Sequence, residues 1–330
     1  MVKSVIIDTD PGIGVPGADI DDGLAIILAL LSPELNVEAL TIVNGNVEME
    51  EGTLNTLRIL ELLDRRDVPV ARGMDRPLLR DMKPVRAAFN KVLSPGKDIY
   101  IEQPLPSLKP ISEHAVDLLV SKVMENPGEI TVIAIGPLTN IAMAMLKDPR
   151  FADNMQELIV MGGCATMLAQ NMTSVAEFNM YCDPDAAKIV FQSGAKITLV
   201  GLDVTMKVFF TRDHLNELRK SQSPLIEYII SRSEPWIDFL GKAFPKREEY
   251  QNGCALHDPL AIGVVLDPSI VTIEKAYVDV ETNSDLTRGQ IVADRGLAIM
   301  QPEHDYNVDV SVDVNDDRFL KLFINRITRL

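Results

Sequence analysis

The sequence predicts an α/β protein: a single-domain, mainly parallel, Rossmann-like open sheet flanked by helices, with a helical and loop-rich cap over the active site. Two observations carry this. Short β-branched runs alternate with longer amphipathic stretches, which is the pattern of βαβ units. No internal repeat, linker or low-complexity segment divides the 330 residues, a length that suits one large core or two smaller ones. Val5–Asp8 reads as the first strand and Asp21–Leu31 as the helix after it, followed by strand Val37–Val43, helix Thr53–Leu63 and short strand Val68–Ala71. Residues from about 74 to 110 are rich in proline and charge and have no period; they read as a surface excursion of the kind that forms lids and binding loops. The alternation resumes with a helix around 112–125, strand Thr131–Ile135, a helix from Asn140, strand Leu158–Met161, helix Pro184–Phe191 and strand Ile197–Val200. From about 212 to 250 the chain reads as helical, broken into pieces by Pro224, Pro235 and Pro245. A helix begins near His257-Asp258-Pro259, and strand-like Val271–Val280 and a closing helix near Asp317–Ile327 complete the chain.

Composition narrows the partners. Asp and Glu number 48 against 32 Lys and Arg, a formal net charge of −16. Without a basic run, neither nucleic acid nor an anionic membrane surface is an expected partner. The longest apolar stretch near the N-terminus, Leu24–Leu31, has eight residues, against roughly 20 needed to span a bilayer. The chain passes from Met1-Val2-Lys3-Ser4 straight into the first strand, with no signal-peptide pattern. Cys164, Cys182 and Cys254 are too widely spaced for a disulfide framework or a zinc site. A reducing, cytoplasmic compartment is expected.

The chemistry concentrates at the end of the first strand. Asp8-Thr9-Asp10-Pro11-Gly12 stands at the carboxyl edge of the sheet, where open α/β sheets bind ligands. Asp8 and Asp10 share one side of an extended segment. Asp21-Asp22 precedes the apolar run Gly23–Leu31, where a carboxylate can simply cap free backbone N–H groups. Four carboxylates within about 15 residues repel one another unless a cation sits among them, and hard oxygen donors suit Ca²⁺ or Mg²⁺.

These residues resemble the N-terminal signature of the inosine-uridine type nucleoside hydrolases, which use a bound Ca²⁺. Further segments follow in that family's order: Val43–Val47 (VNGNV), Ile135–Ala142 (IGPLTNIA), Val160–Gly163 (VMGG), Ala176–Asp183 (AEFNMYCD), Gly201–Thr205 (GLDVT) and His257–Ala261 (HDPLA). The resemblance implies hydrolysis of the N-glycosidic bond of a ribonucleoside, through an oxocarbenium-like transition state, in nucleoside salvage. It makes Asp10 both general base and metal ligand, with Asp22, Asp258 and the backbone carbonyl of Thr139 as the other Ca²⁺ ligands. Asp21, Asn46, Asn171, Glu177 and Asn179 match positions that hold the ribose hydroxyls, for which amides and carboxylates are the fitting lining. His257 matches a histidine near the leaving base that would protonate it. Met161 matches an apolar residue under the sugar, although a lone Met after a strand is ordinarily core. A homodimer or homotetramer is the expected assembly.

Three departures bear on the substrate. Ile13–Ile20 places eight residues between DPG and the DD pair where the family usually has one. Gly14, Pro16 and Gly17 let such an insertion loop out beside the active site, and Asp21-Asp22 keep their role because the apolar helix follows them directly. Val85–Asp98 contains no histidine, and Met206-Lys207 stands where a histidine is common after GLDVT. Recognition of the base therefore falls to other groups, with Phe89, Trp236, Phe244 and Tyr250 as stacking candidates. Two rival readings fare worse. A haloacid dehalogenase-type phosphatase also begins with DxD, but it normally has Thr or Val where Gly12 stands and gives no reason for AEFN, IGPLTN or HDPLA. A catalytically silent nucleoside-binding protein would not need Asp10 placed as a base.

Overall fold

The computed structural model describes residues 2–92, 103–166, 170–296 and 304–329, with residues 88–92 as backbone alone. The chain begins with β1 (Lys3–Thr9), α1 (Asp21–Leu30), β2 (Leu35–Ile42), α2 (Met49–Leu62), β3 (Val70–Arg72), α3 (Lys83–Val92) and α4 (Ala115–Glu125). The middle of the chain forms β4 (Ile130–Ala134), α5 (Thr139–Lys147), α6 (Phe151–Asn154), β5 (Glu157–Met161), α7 (Phe178–Cys182), α8 (Pro184–Phe191), β6 (Ile197–Val200) and α9 (Leu202–Thr205). There follow β7 (Phe209–Thr211), α10 (Arg212–Leu218), α11 (Pro224–Ala243), α12 (Glu249–Asn252) and β8 (Gly253–Ala255). The chain closes with α13 (His257–Leu266), β9 (Val271–Val280), β10 (Ile291–Asp294), β11 (Val308–Val314) and α14 (Asp316–Ile327).

Nine strands form one sheet in the order β10-β9-β11-β6-β5-β4-β1-β2-β3. Seven of them, β3 through β11 in that row, are parallel neighbours, and β9 runs antiparallel to both β11 and β10. The strand order reverses at β1, which pairs with β2 on one side and β4 on the other. That reversal opens a crevice at the carboxyl ends of β1 and β4, the place where such sheets take ligands.

The central strands are apolar on both faces because both faces are covered. Val5, Ile7, Ile133, Ile159 and Val200 point into a core shared with α1, α11, α13 and α14. Their neighbours Ile6, Val132, Leu158, Val160 and Leu199 point into the opposite core, under α4, α5 and α8. All ten residues of α1 are buried, its two aspartates included. A helix buried on every side must be apolar on every side, and Gly23–Leu30 is. Between α13 and α14 the approach is close enough that a Cβ on Gly263 would lie 2.5 Å from the Phe319 ring.

Several expectations are corrected. Residues 74–110 contain a helix, α3, with Pro84 at its second position, where a missing N–H costs nothing. Pro235 does not divide α11, which runs unbroken for 20 residues. One lost backbone bond is outweighed there by the Ser223 cap and a buried stripe of Ile226, Ile229, Ile230, Ile237 and Leu240. The strands β10 and β11 and the short β7–β8 pair were not anticipated. Among the described residues no helix is long and apolar enough to cross a membrane.

Gly263→Ala should destabilise the fold by about 1–3 kcal/mol through overpacking against Phe319. Thermal unfolding measures this, and a melting temperature equal to wild type would show that α14 yields freely.

Candidate active site

The functional side chains are gathered by strand ends and helix starts. Asp10 follows β1 and is fully buried. Its Oδ2 accepts from Asn46 N at 2.5 Å, while Oδ1 has no partner. Gly136, after β4, would carry a Cβ 2.6 Å from that Oδ1, and a Cβ on Gly45 would collide with Oδ2. Two glycines thus leave the room in which the carboxylate sits. Asp22 does not cap α1, whose N-cap is Ile20. Instead its Oδ1 accepts from Thr9 Oγ1 at 2.6 Å and Asp10 N at 3.1 Å, and its Oδ2 accepts from Asn46 Nδ2 at 2.9 Å. Asp21 turns the other way, towards α13, and accepts from Asp258 N at 3.3 Å.

One carboxylate oxygen from each of Asp21, Asp22 and Asp258 lies within 4.8 Å of the others. Asp10 stands beside this trio in contact with Asp22. Thr139 opens α5 with its hydroxyl donating to Asp183 at 2.7 Å. Asp8 accepts from Thr41 and Asn140 through Oδ1 and leaves Oδ2 buried and unpartnered.

Electrostatics follows from this crowding. Burial, joined by the charges of its acidic neighbours, pushes the carboxyls of Asp10, Asp21 and Asp258 well above their ordinary range. Asp8 rises to about 7, chiefly by burial, and Asp19 to about 6 for the same reason. The charges that raise Asp21 and Asp258 are those of the neighbouring aspartates. Hard oxygen donors, an orphaned Oδ1 and uncompensated negative charge fit a divalent cation well.

Beside the carboxylates opens a cleft of about 170 Å³. Asp21, Asn46, Asn171, Glu177, Asn179, His257 and Asp258 all line it, whereas Asp10, Asp22 and Thr139 are not on its wall. Glu177 is the N-cap of α7, and its carboxylate accepts from Gly163 N, Asn179 N and Met180 N at 2.9–3.1 Å. Asn179 Nδ2 donates to Ile135 O and Met161 O at 2.9 and 3.3 Å, joining the ends of β4 and β5. Asn171 Oδ1 accepts from Phe178 N at 2.9 Å. Met161 is both core and wall, 3% exposed and lining the cleft. His257 is half-buried, with Nδ1 2.8 Å from Thr205 Oγ1. Burial pulls its imidazole down to about 4, so it is neutral near pH 7.

The far end of the cleft is aromatic. Trp236, Phe239, Phe244 and Tyr250 line it together with Arg247, and Trp236 stacks on Phe239 with ring centroids 5.3 Å apart. The Phe89 side chain and residues 93–98 lie outside the described residues. Asp19 and Arg247 are on the wall without having been singled out. Asp19 looks like a turn acid before a helix, and Arg247 sits in a charged run, so neither carries a sequence signal of its own.

A family model described as inosine-uridine preferring nucleoside hydrolase matches residues 5–321. The chain belongs to that family. It is accordingly a nucleoside hydrolase. It is 37% identical to the probable uridine nucleosidase 2 of Arabidopsis thaliana over 98% of this chain and 97% of that protein. The solved structure of the plant nucleoside hydrolase PpNRh1 superposes with a TM-score of 0.85 at 34% identity, covering all of both chains. That of a purine-preferring ribonucleoside hydrolase from Gardnerella vaginalis gives 0.86 at 32%, covering 99% of this chain and 98% of that one. The buried cluster of Asp21, Asp22 and Asp258 is consistent with a metal site.

The raised carboxyls make a cation test possible. A carboxyl whose folded pKa is raised contributes stability that is present below its unfolded value of 3.8 and lost as pH rises through about 6 for Asp19 and about 7 for Asp8. Stripped of divalent ions, the protein should therefore melt at a lower temperature near pH 8 than near pH 6. Added divalent cation should raise the pH 8 value most, by binding the folded state alone. A melting temperature indifferent to cation at pH 8 would mean that the carboxylates hold none.

Proposed function

We propose that the protein hydrolyses ribonucleosides to free base and ribose with Ca²⁺ as its metal, in nucleoside salvage. The observation that carries the reading is the orphaned, buried Oδ1 of Asp10 next to the Asp21-Asp22-Asp258 trio. Asp22 and Asp258 would hold the ion, with Asp10 and the Thr139 carbonyl completing the shell and Asp21 at its edge. When bound, the ion supplies positive charge that acidifies a water and orders neighbouring hydroxyls.

Asp10 is the general base: Oδ1 takes the proton of the attacking water. Its other oxygen is held by Asn46 N, so the carboxylate keeps its orientation while the proton moves. Asp21, Asn46, Asn171, Glu177 and Asn179 bind the ribose hydroxyls. Glu177 is fixed by backbone donors and meets the sugar with the acceptor capacity left over. The buried carboxylates stabilise the positive charge that develops on the sugar as the bond to the base lengthens. His257 faces the base as a neutral ring. With the Thr205 hydroxyl donating to Nδ1, Nε2 carries the ring proton and offers it to the departing base as a hydrogen bond. The match of one family model to 5–321 supports reading the chain as one such unit.

Ribose release from inosine, adenosine, guanosine, uridine and cytidine, with and without a calcium chelator, tests this directly. Chelator-sensitive release is expected, and Asp10→Asn should lower kcat by about 1,000-fold or more, the scale of losing a base and a metal ligand together. No release from any nucleoside in the presence of calcium overturns the reading.

A further inference from the structure

The sugar end of the cleft is acidic, yet breaking an N-glycosidic bond also puts negative charge on the base. Among the described residues lining the cleft, Arg247 is the one Lys or Arg. It lies between α11 and α12, in the aromatic part of the wall. Its guanidinium is 5.5 Å from the Tyr250 ring centroid. Its other neighbours are distant: Gln170 O accepts from NH2 at 3.4 Å, and Glu249 is 3.9 Å from NH1. A guanidinium has five N–H donors in a fixed fork, so contacts this long leave donors for a ligand.

The histidines offer no positive charge in its place. One ring nitrogen of His257 is already engaged by Thr205. His114 caps α4, His214 closes the capping box of α10 and His304 stacks on Tyr277, all away from the cleft.

We propose that Arg247 is a catalytic residue at the nucleobase end, where its guanidinium hydrogen-bonds the acceptor atoms of the base and stabilises the negative charge the base acquires on leaving. The proposal rests on the nucleoside hydrolase reading above. In the step, the C1′–N bond breaks and its electron pair goes to the base nitrogen, from which it delocalises over the ring and any carbonyl oxygens. Water forms the new C1′–O bond and gives one proton to Asp10. The base departs as an anion paired with Arg247 and then takes a proton from solvent, while Asp10 returns its proton to solvent. Water plus nucleoside thus becomes ribose plus neutral base. A preorganised cation aimed at charge that exists only in the transition state acts on kcat.

The test compares wild type, Arg247→Lys, Arg247→Met and Arg247→Ala, each as the full chain with Ca²⁺, on uridine, inosine and p-nitrophenyl riboside. The last has a leaving group that is already a stable anion. Arg247→Met should lower kcat on uridine and inosine about 100-fold, the scale of losing one charged transition-state donor, and affect p-nitrophenyl riboside far less. Arg247→Lys should retain part of the nucleoside activity, and added guanidinium should restore part of it to Arg247→Ala. Equal losses on all three substrates, with or without a lower melting temperature, would reduce Arg247 to a binding or structural residue and overturn the proposal, as would no loss on the nucleosides. A wild type that hydrolyses none of the three would instead overturn the hydrolase reading itself, and this proposal with it.

Discussion

The structure depends on bringing carboxylates together where water cannot screen them. Asp8, Asp10 and Asp22 are fully buried, and Asp21 and Asp258 are 3% exposed. Desolvation of these carboxylates, joined by their mutual repulsion, is costly at low dielectric, and the surroundings are arranged around it. β1 lies in the interior of the sheet, between β2 and β4, so its end cannot relax into solvent. Gly45 and Gly136 clear the space for one carboxylate. Thr9, Thr41, Asn46 and Asn140 each donate to another. What these dipoles leave uncompensated is net negative charge, and a bound cation is the natural counterweight. A cation bound there would couple stability to activity.

The rest of the site divides into a rigid half and an adaptable half. Beside the acidic cluster, each polar group on the wall also does structural service. Glu177 starts α7, Asn179 ties the ends of β4 and β5, and Asn171 holds Phe178 N. Such groups have little freedom to move without unpicking the sheet edge. The aromatic end is made of α11, the turn after it and α12, next to the two-stranded β7–β8 pair. Aromatic packing on helices tolerates substitution far better than a buried hydrogen-bond network does. Relatives described as uridine nucleosidase and as purine-preferring hydrolase both match this chain over nearly its full length.

Much of this was legible in the order of residues, for physical reasons. Alternating strand and helix periods survive in any context where both sheet faces are covered, so β1 through β6 and α13 were readable. The DxDPG and DD segments mark the strand end because charge is so costly inside a sheet core. Elsewhere tertiary packing overruled local signals. Pro235 reads as a break, yet the buried stripe of α11 carries the helix across it. Residues 83–92 look aperiodic, and the strands β10 and β11 are set by their pairing partners, for β11 the distant β6 as well as β9. The Asp21-Asp22 pair falls where carboxylates can cap a helix, and spacing cannot show that the Asp22 oxygens face Thr9, Asp10 and Asn46. Arg247 was invisible for a similar reason: a cation among charged neighbours acquires meaning only when the wall it joins is otherwise acidic or aromatic.

The insertion Ile13–Ile20 shows how a site can change without losing its acids. Both ends of the segment are plugged into the core, Ile13 fully buried and Ile20 2% exposed. Ile13 packs where Gly23 has no side chain, and Ala18 packs over Gly12 in the same way. Two turns, Val15 N to Gly12 O and Ala18 N to Val15 O, fold the segment back on itself, with Gly14 and Gly17 at positive φ. The loop therefore returns to Asp21 in register, and the apolar helix behind it is undisturbed. Its middle forms a partition: Gly17, Ala18 and Asp19 line the cleft, while Val15–Ala18 face a second cavity beside Asn46 and α3. On its other side the loop meets Trp236 and Phe239 of α11. The segment is thus anchored at both ends and stands between the acidic and the aromatic parts of the wall. It forms one wall of the cleft, between the acidic side and the cap.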